Sequence, residues 1–266
     1  MAMRTECDLA RRIEHSAAKF VTSQAVALAE VAPTSGAQAE ALDGGALVSF
    51  GPGRYVNRAI GLGFGGTAAD EILGALDAFY GERGMPPSLE LSPLADPALL
   101  TALTMDGYVL ERFRNVYAHD LSNLAPAGGQ EIVPLTAETA DDRKRILSND
   151  APQGTDARRL SDEFCDASSG FAGTHDFIAV IDGVSAACGS LAVSDGVGWV
   201  GGAATLAAHQ GKGLQSALIA FRLWLAQEFG CELAAATALP DGQSAQNLVR
   251  LGFQLLYTQV VLTKPS

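Results

Sequence analysis

Thr205-Leu-Ala-Ala-His-Gln-Gly-Lys-Gly-Leu-Gln-Ser216 places a glycine-containing turn between an apolar strand and a long amphipathic helix. A helix start leaves backbone NH groups without partners, and the helix dipole adds partial positive charge there. Such a junction welcomes an anion. Gly211 and Gly213 accept dihedrals that other residues resist and let a ligand approach without meeting a Cβ, while Lys212 adds a positive charge. The spacing is not that of a P-loop, which needs Gly-x-x-x-x-Gly-Lys-Ser/Thr, because Lys212 lies between the glycines and Gly213 follows it. The three spaced glycines of a dinucleotide-binding turn are also absent.

The segment resembles the acyl-CoA loop of the GNAT N-acetyltransferase superfamily, whose signature Arg/Gln-x-x-Gly-x-Gly/Ala lies between the fourth strand and the following helix. Gln210 and Gly213 fit it. Gln215 stands where the pattern has Gly or Ala, so the end of the loop is either tighter or bonds the cofactor through its amide. The resemblance continues through a helix over 214–229, a strand over 232–237, a helix around 244–251 and the pair Gly252-Phe253. Many members carry a tyrosine in the helix before Gly-Phe, whereas Leu248 aligns best here, and the strand 197–206 holds no carboxylate.

This resemblance implies acetyl-CoA as co-substrate, its pyrophosphate held by Gln210, Gly211, Lys212, Gly213, Leu214, Gln215 and Ser216. The backbone of Ala203, Ala204 and Thr205 would align the pantetheine arm as an added strand, with a splay of the strand 232–237 making room. Gly201 and Gly202 suit a bulge that turns a backbone group toward the thioester, or simply close packing. Ser244 and Asn247 lie three residues apart on one helix face, where they could bond the pantetheine or need no function at all. Tyr257 is the candidate proton donor to the departing thiolate, its alternative being an ordinary strand aromatic. Asp162, Glu163 and Asp166 are candidates for recognising an amine or else a solvated helix face.

With 266 residues the chain can bury two cores of moderate size. A formal charge of -12 and scattered Lys and Arg argue against nucleic acid and favour an amine acceptor. Cys7, Cys165, Cys188 and Cys231 lack the Cys-x-x-Cys spacing of a zinc or redox site, so no metal is expected and a reduced, cytoplasmic setting fits. The opening MAMRTECDLARRIEHSAAKF lacks the apolar centre of a signal peptide. No stretch reaches the roughly 18 uninterrupted apolar residues of a membrane span.

Thr5-Glu-Cys-Asp8 resembles a capping box before a helix over 9–28, and 33–45 reads as a loop. Strands over 46–50 and 55–64, a helix over 68–80, a strand over 88–91, a helix over 97–105, Gly107-Tyr108 and a strand over 109–117 follow. The order of strand, glycine turn, helix, strand, short helix, Gly-aromatic and strand repeats from 197 to 262, which suggests an internal duplication. In the first copy the turn reads Gly61-Leu-Gly-Phe-Gly-Gly-Thr67, with neither the Gln-x-x-Gly pattern nor a lysine. The alternative is an unrelated α/β domain with a similar element order. In the second half a strand at 131–135, helices over 137–147 and 156–167, and a hairpin about Asp182-Gly183 precede the loop.

The expected fold is α/β (α+β): two GNAT-like halves, each a mixed, mostly antiparallel sheet flanked by helices. Residues 1–121 form the half without cofactor and 130–266 the acetyl-CoA half, with a linker at 122–129. The expected activity is acetyl transfer to a primary amine by direct attack. The rival reading is a non-catalytic acyl-CoA-binding regulatory module.

Overall fold

The computed structural model describes residues 6–54, 57–124, 129–168, 171 and 173–265. The expected cap Thr5, Tyr55 and linker residues 125–128 lie outside them. The chain divides into two compact units, Met1–Val116 with Leu256–Ser266, and Tyr117–Leu255.

The first unit holds α1 (Glu6–Val31), β1 (Gln38–Leu42), β2 (Gly45–Ser49), β3 (Arg58–Ile60), α2 (Ala69–Gly81), β4 (Ser88–Leu91), α3 (Pro97–Met105), most of β5 (Val109–Asp120) and most of β11 (Gln254–Thr263). Its strands lie in the order β1-β2-β3-β4-β11-β5. The β1/β2 and β2/β3 pairs are antiparallel, and β3/β4, joined through α2, is parallel. Leu47, Ile72, Leu76, Phe79, Leu89, Leu99, Leu103 and Leu262 pack its core. Asp96 starts α3 by accepting from the Ala98 NH at 2.9 Å, and Pro97 fills the first position, where no NH is needed.

One difference from the sequence reading has a local cause. The expected loop over 33–45 contains β1, because Asp43 (φ +52°) and Gly44 (φ +81°) form a two-residue hairpin turn to β2. Residues 256–266 fall in the first compact unit, where Val260 pairs with Leu91 and Leu262 with Leu89.

The second unit holds β6 (Glu131–Pro134), α4 (Ala140–Leu147), α5 (Asp156–Ser168), β7 (Thr174–Ile181), β8 (Val184–Ser194), β9 (Val197–Thr205), α6 (Leu214–Glu228), β10 (Leu233–Ala238) and α7 (Gln243–Arg250). Its strands follow the order β10-β9-β8-β7-β6, antiparallel except for β9/β10, which α6 joins in parallel. Asp182-Gly183 and Asp195-Gly196 turn the two hairpins with positive φ at both residues. Phe177, Leu191, Leu214, Leu218, Leu223, Leu248 and Phe253 form the core. Among the described residues no helix is long and apolar enough to cross a membrane.

In the first unit, α1 is tied to β11 by a buried carboxyl. Glu14 Oε1 accepts from Tyr257 Oη and from Gln259 Nε2, each at 2.8 Å. Burial pushes the Glu14 pKa up to about 7, the bonds from Tyr257 and Gln259 pull against it, Glu90 adds a small push and Arg114 a small pull. The folded pKa lies above the ordinary 4.5, so the fold favours the neutral acid. The contribution is full below about pH 4.5 and lost as pH rises through about 7. Wild-type stability, measured by urea unfolding, should fall relative to Glu14→Gln by about 3 kcal/mol across this window. Parallel pH profiles for the two proteins would show that Glu14 does not titrate in the fold.

Candidate functional site

The site grows from one irregularity in β9. Cys188 pairs with Ala204 and Ser190 with Gly201, so two steps along β8 match three along β9. The extra residue is a β-bulge at Gly202, whose φ of +56° is open to glycine and whose Cβ would strike Ser190 Oγ at 2.5 Å. Gly201 and Gly202 therefore make the bulge that the sequence suggested. Just before it, β9 parts from β10: Leu233, Ala234 and Ala235 pair with Val197, Gly198 and Trp199, and the parallel register ends there. The edge of β9 from Val200 to Thr205 is left without a β10 register partner.

Arg222 of α6 braces the bulge from beneath and was not anticipated as a functional residue. Its side chain is fully buried, with Nη1 donating to Ser190 O and Gly201 O at 2.9 Å and Nε to Leu218 O at 2.9 Å. Gly189 makes room for the guanidinium, since a Cβ there would lie 2.7 Å from Arg222 Cζ. Burial brings the Arg222 pKa down to about 10 and leaves it charged at neutral pH. The sequence did carry a signal: Arg222 falls on the buried stripe between Leu218 and Ala226, where a charge must find partners. A second buried arginine, Arg143, pairs with Asp176 at 2.9 Å and reaches Ser190 Oγ at 3.2 Å.

Beyond β9 the chain makes a short 3-10 turn and enters α6 through Gly211 (φ +76°) and Gly213 (φ +79°). A Cβ at either glycine would meet nothing within 4 Å, so dihedral freedom rather than space selects them. The backbone NH groups of residues 211–216 find no acceptor among the described residues. The first turn of α6 carries no acid, and Lys212 stands exposed beside it, its Nζ 3.4 Å from His209 Nδ1. Unpartnered NH groups at a helix start beside a cation suit an anion. Gln215 resolves its two alternatives: its amide turns back to Ala204 O at 2.8 Å and Thr205 Oγ1 at 2.9 Å, tightening the loop onto β9.

The remaining candidates have their own contacts. Ser244 is exposed on α7, and Asn247 accepts from Gln243 Nε2 at 3.2 Å. Leu248 is buried in the core beside Phe253. Asp162, Glu163 and Asp166 are paired with Arg158, Arg159 and Lys144 at 2.7, 3.1 and 2.6 Å, as on a solvated helix face. Burial pushes the Cys165 and Cys188 thiols up to about 11 and about 12, which leaves both poor nucleophiles. Tyr257, expected as donor to a thiolate, belongs to the first unit and donates a hydrogen bond to Glu14, and burial raises its pKa. The physical reason is the alternation of β11, which turns Tyr257 and Gln259 inward together.

Residues 141–253 match the model of the acetyltransferase (GNAT) family. No curated protein matches the chain in sequence. Among solved structures, a GCN5-related N-acetyltransferase from Kribbella flavida is 23% identical, with a TM-score of 0.57 over 74% of this chain and 77% of its own. A tandem GNAT protein from the clavulanic acid biosynthesis pathway is 17% identical, with a TM-score of 0.56 over 82% of this chain and 74% of its own. A GCN5-related N-acetyltransferase from Sphaerobacter thermophilus, at 17% identity and a TM-score of 0.54, covers 77% of this chain and 70% of its own. At these identities the likeness is one of fold.

Tyr257→Phe should cost about 1–2 kcal/mol in chemical unfolding, because Glu14 keeps one donor instead of two. Any acetyl transfer should proceed at the wild-type rate below the transition. Full stability with a collapsed rate would return Tyr257 to the role of proton donor.

Proposed function

We propose that this chain, whose residues 141–253 belong to the GNAT acetyltransferase family, moves an acetyl group from acetyl-CoA to a primary amine by direct attack. The observation that carries the reading is the run of acceptor-free NH groups at 211–216 beside a strand edge that β10 has released. Gly211, Lys212, Gly213, Leu214, Gln215 and Ser216 hold the pyrophosphate through backbone NH groups, with the Lys212 ammonium beside them and Gln210 at the loop entrance. Ala203, Ala204 and Thr205 align the pantetheine arm along the open edge of β9, and Ser244 and Asn247 of α7 serve its polar groups.

The bulge at Gly202 directs a backbone group toward the thioester carbonyl, and Arg222, buried behind it, keeps that backbone from relaxing. The amine nitrogen bonds to the acetyl carbon while the carbon–sulfur bond breaks. The nitrogen loses its proton to water, and the thiolate takes one from solvent. The net charge of -12 draws a cationic acceptor toward the protein before deprotonation. Residues 1–121 and 130–266 are read as duplicated GNAT-like halves, the first without cofactor. The free cysteines among the described residues suit a cytoplasmic protein.

A non-catalytic acyl-CoA-binding module is the second reading, favoured by the absence of a carboxylate from β9 and by the buried Leu248. Calorimetric titration with acetyl-CoA should give one site per chain in the wild type and at least about tenfold weaker binding in Gly213→Asp, where a negative charge enters the loop. Equal affinity in a folded Gly213→Asp protein would refute the assigned loop. Thiol release from acetyl-CoA with one member of an amine panel supports transfer, and tight binding with no release from any amine supports the module.

A further inference from the structure

The first unit contains a second strand–loop–helix junction of the same order as β9, loop and α6, and it carries its own anion. There β3 runs into residues 61–68, then α2, then the parallel strand β4, as β9 runs through its loop and α6 to β10. In the second unit the loop NH groups have no acceptor among the described residues. In the first, two of them are taken by a carboxylate: Asp43 Oδ2 accepts from the Gly63 NH at 2.6 Å and Oδ1 from the Thr67 NH at 2.9 Å.

We propose that Asp43 is a built-in substitute for the ligand phosphate, closing the loop of the first unit so that the chain takes one acyl-CoA rather than two. The inference rests on the reading of the two halves as duplicates. Asp43 reaches the loop from the tip of the β1/β2 turn, where its φ of +52° is fixed by the hairpin. Gly65 permits the approach, for a Cβ there would lie 2.4 Å from Asp43 Oδ1. Burial alone would raise the Asp43 pKa, but the donors Thr67 and Gly63 outweigh it and hold the carboxyl below the usual range.

A separate feature points the same way. The first turn of α2 carries Asp70 and Glu71, which oppose a polyanion at that helix start, whereas the first turn of α6 carries no acid. The two loops thus share their place in the element order and differ in sign of preference. One is held shut by a carboxylate and guarded by two more; the other is bare and flanked by a lysine.

Hydrogen exchange of the Gly63 and Thr67 amides, read by NMR on the full chain, tests this without reference to acetyl-CoA. A failure here therefore stays separate from a failure of the transferase reading. In the wild type both amides should be protected and unaffected by added acetate. In Asp43→Ala they should exchange at least about tenfold faster, and acetate, against chloride at equal ionic strength, should restore much of the protection. Asp43→Asn, of equal size but uncharged, covers the case in which the alanine variant does not fold, and it too should lose protection. Wild-type protection in Asp43→Asn, or no response of a folded Asp43→Ala to acetate, would overturn the proposal.

Discussion

One extra residue in β9 is the constraint on which the rest of the second unit depends. It breaks the register against β8 at Gly202 and sits just past the last residue of β9 that pairs with β10. A strand with regular partners on both sides would have no free edge to offer. The bulge also leaves carbonyls that ordinary pairing cannot satisfy, and Arg222 answers with hydrogen bonds to Ser190 O and Gly201 O. A buried guanidinium is costly unless it is hydrogen-bonded. Its presence at full burial indicates that α6, the bulge and the loop that α6 follows are fixed as one piece.

Charge is handled differently at the two glycine loops. Around α6 the protein leaves NH groups without acceptors among the described residues, brings up Lys212, and folds the polar Gln215 back onto Ala204 and Thr205. Around α2 it supplies a carboxylate from a neighbouring hairpin and adds acids at the helix start. The loop before α6 is thus open among the described residues, while two NH groups of the loop before α2 are taken by a carboxylate. Buried polar groups elsewhere in the first unit, Glu14 with Tyr257 and Gln259, bind α1 to the last strand.

The sequence made the fold legible where a residue type leaves the backbone little choice. Gly211 and Gly213 announced the loop, Asp182-Gly183 the hairpin, Pro97 the start of α3, and Gly201-Gly202 the bulge. What it left hidden depends on contacts distant along the chain. Nothing local in Gln38–Leu42, with its two alanines and two polar residues, marks a strand until Asp43-Gly44 folds it onto β2. The placement of Tyr257 depends on a partner 243 residues away, and the roles of Asp43 and Arg222 on loops and strands that sequence spacing does not bring together. Asp162, Glu163 and Asp166 carried two readings in the sequence, and it could not show that Lys144, Arg158 and Arg159 pair with them.

The central claim is that acetyl-CoA lies along the freed edge of β9 and ends on the NH groups before α6, and nowhere on the first unit. Hydrogen–deuterium exchange of the whole chain, with and without saturating acetyl-CoA, addresses it most directly. The account predicts slowed exchange confined to residues 200–216, the facing part of β10 and the part of α7 that carries Ser244 and Asn247, with peptides spanning 61–67 unchanged. Slowed exchange at 61–67, or none at 211–216, would contradict it.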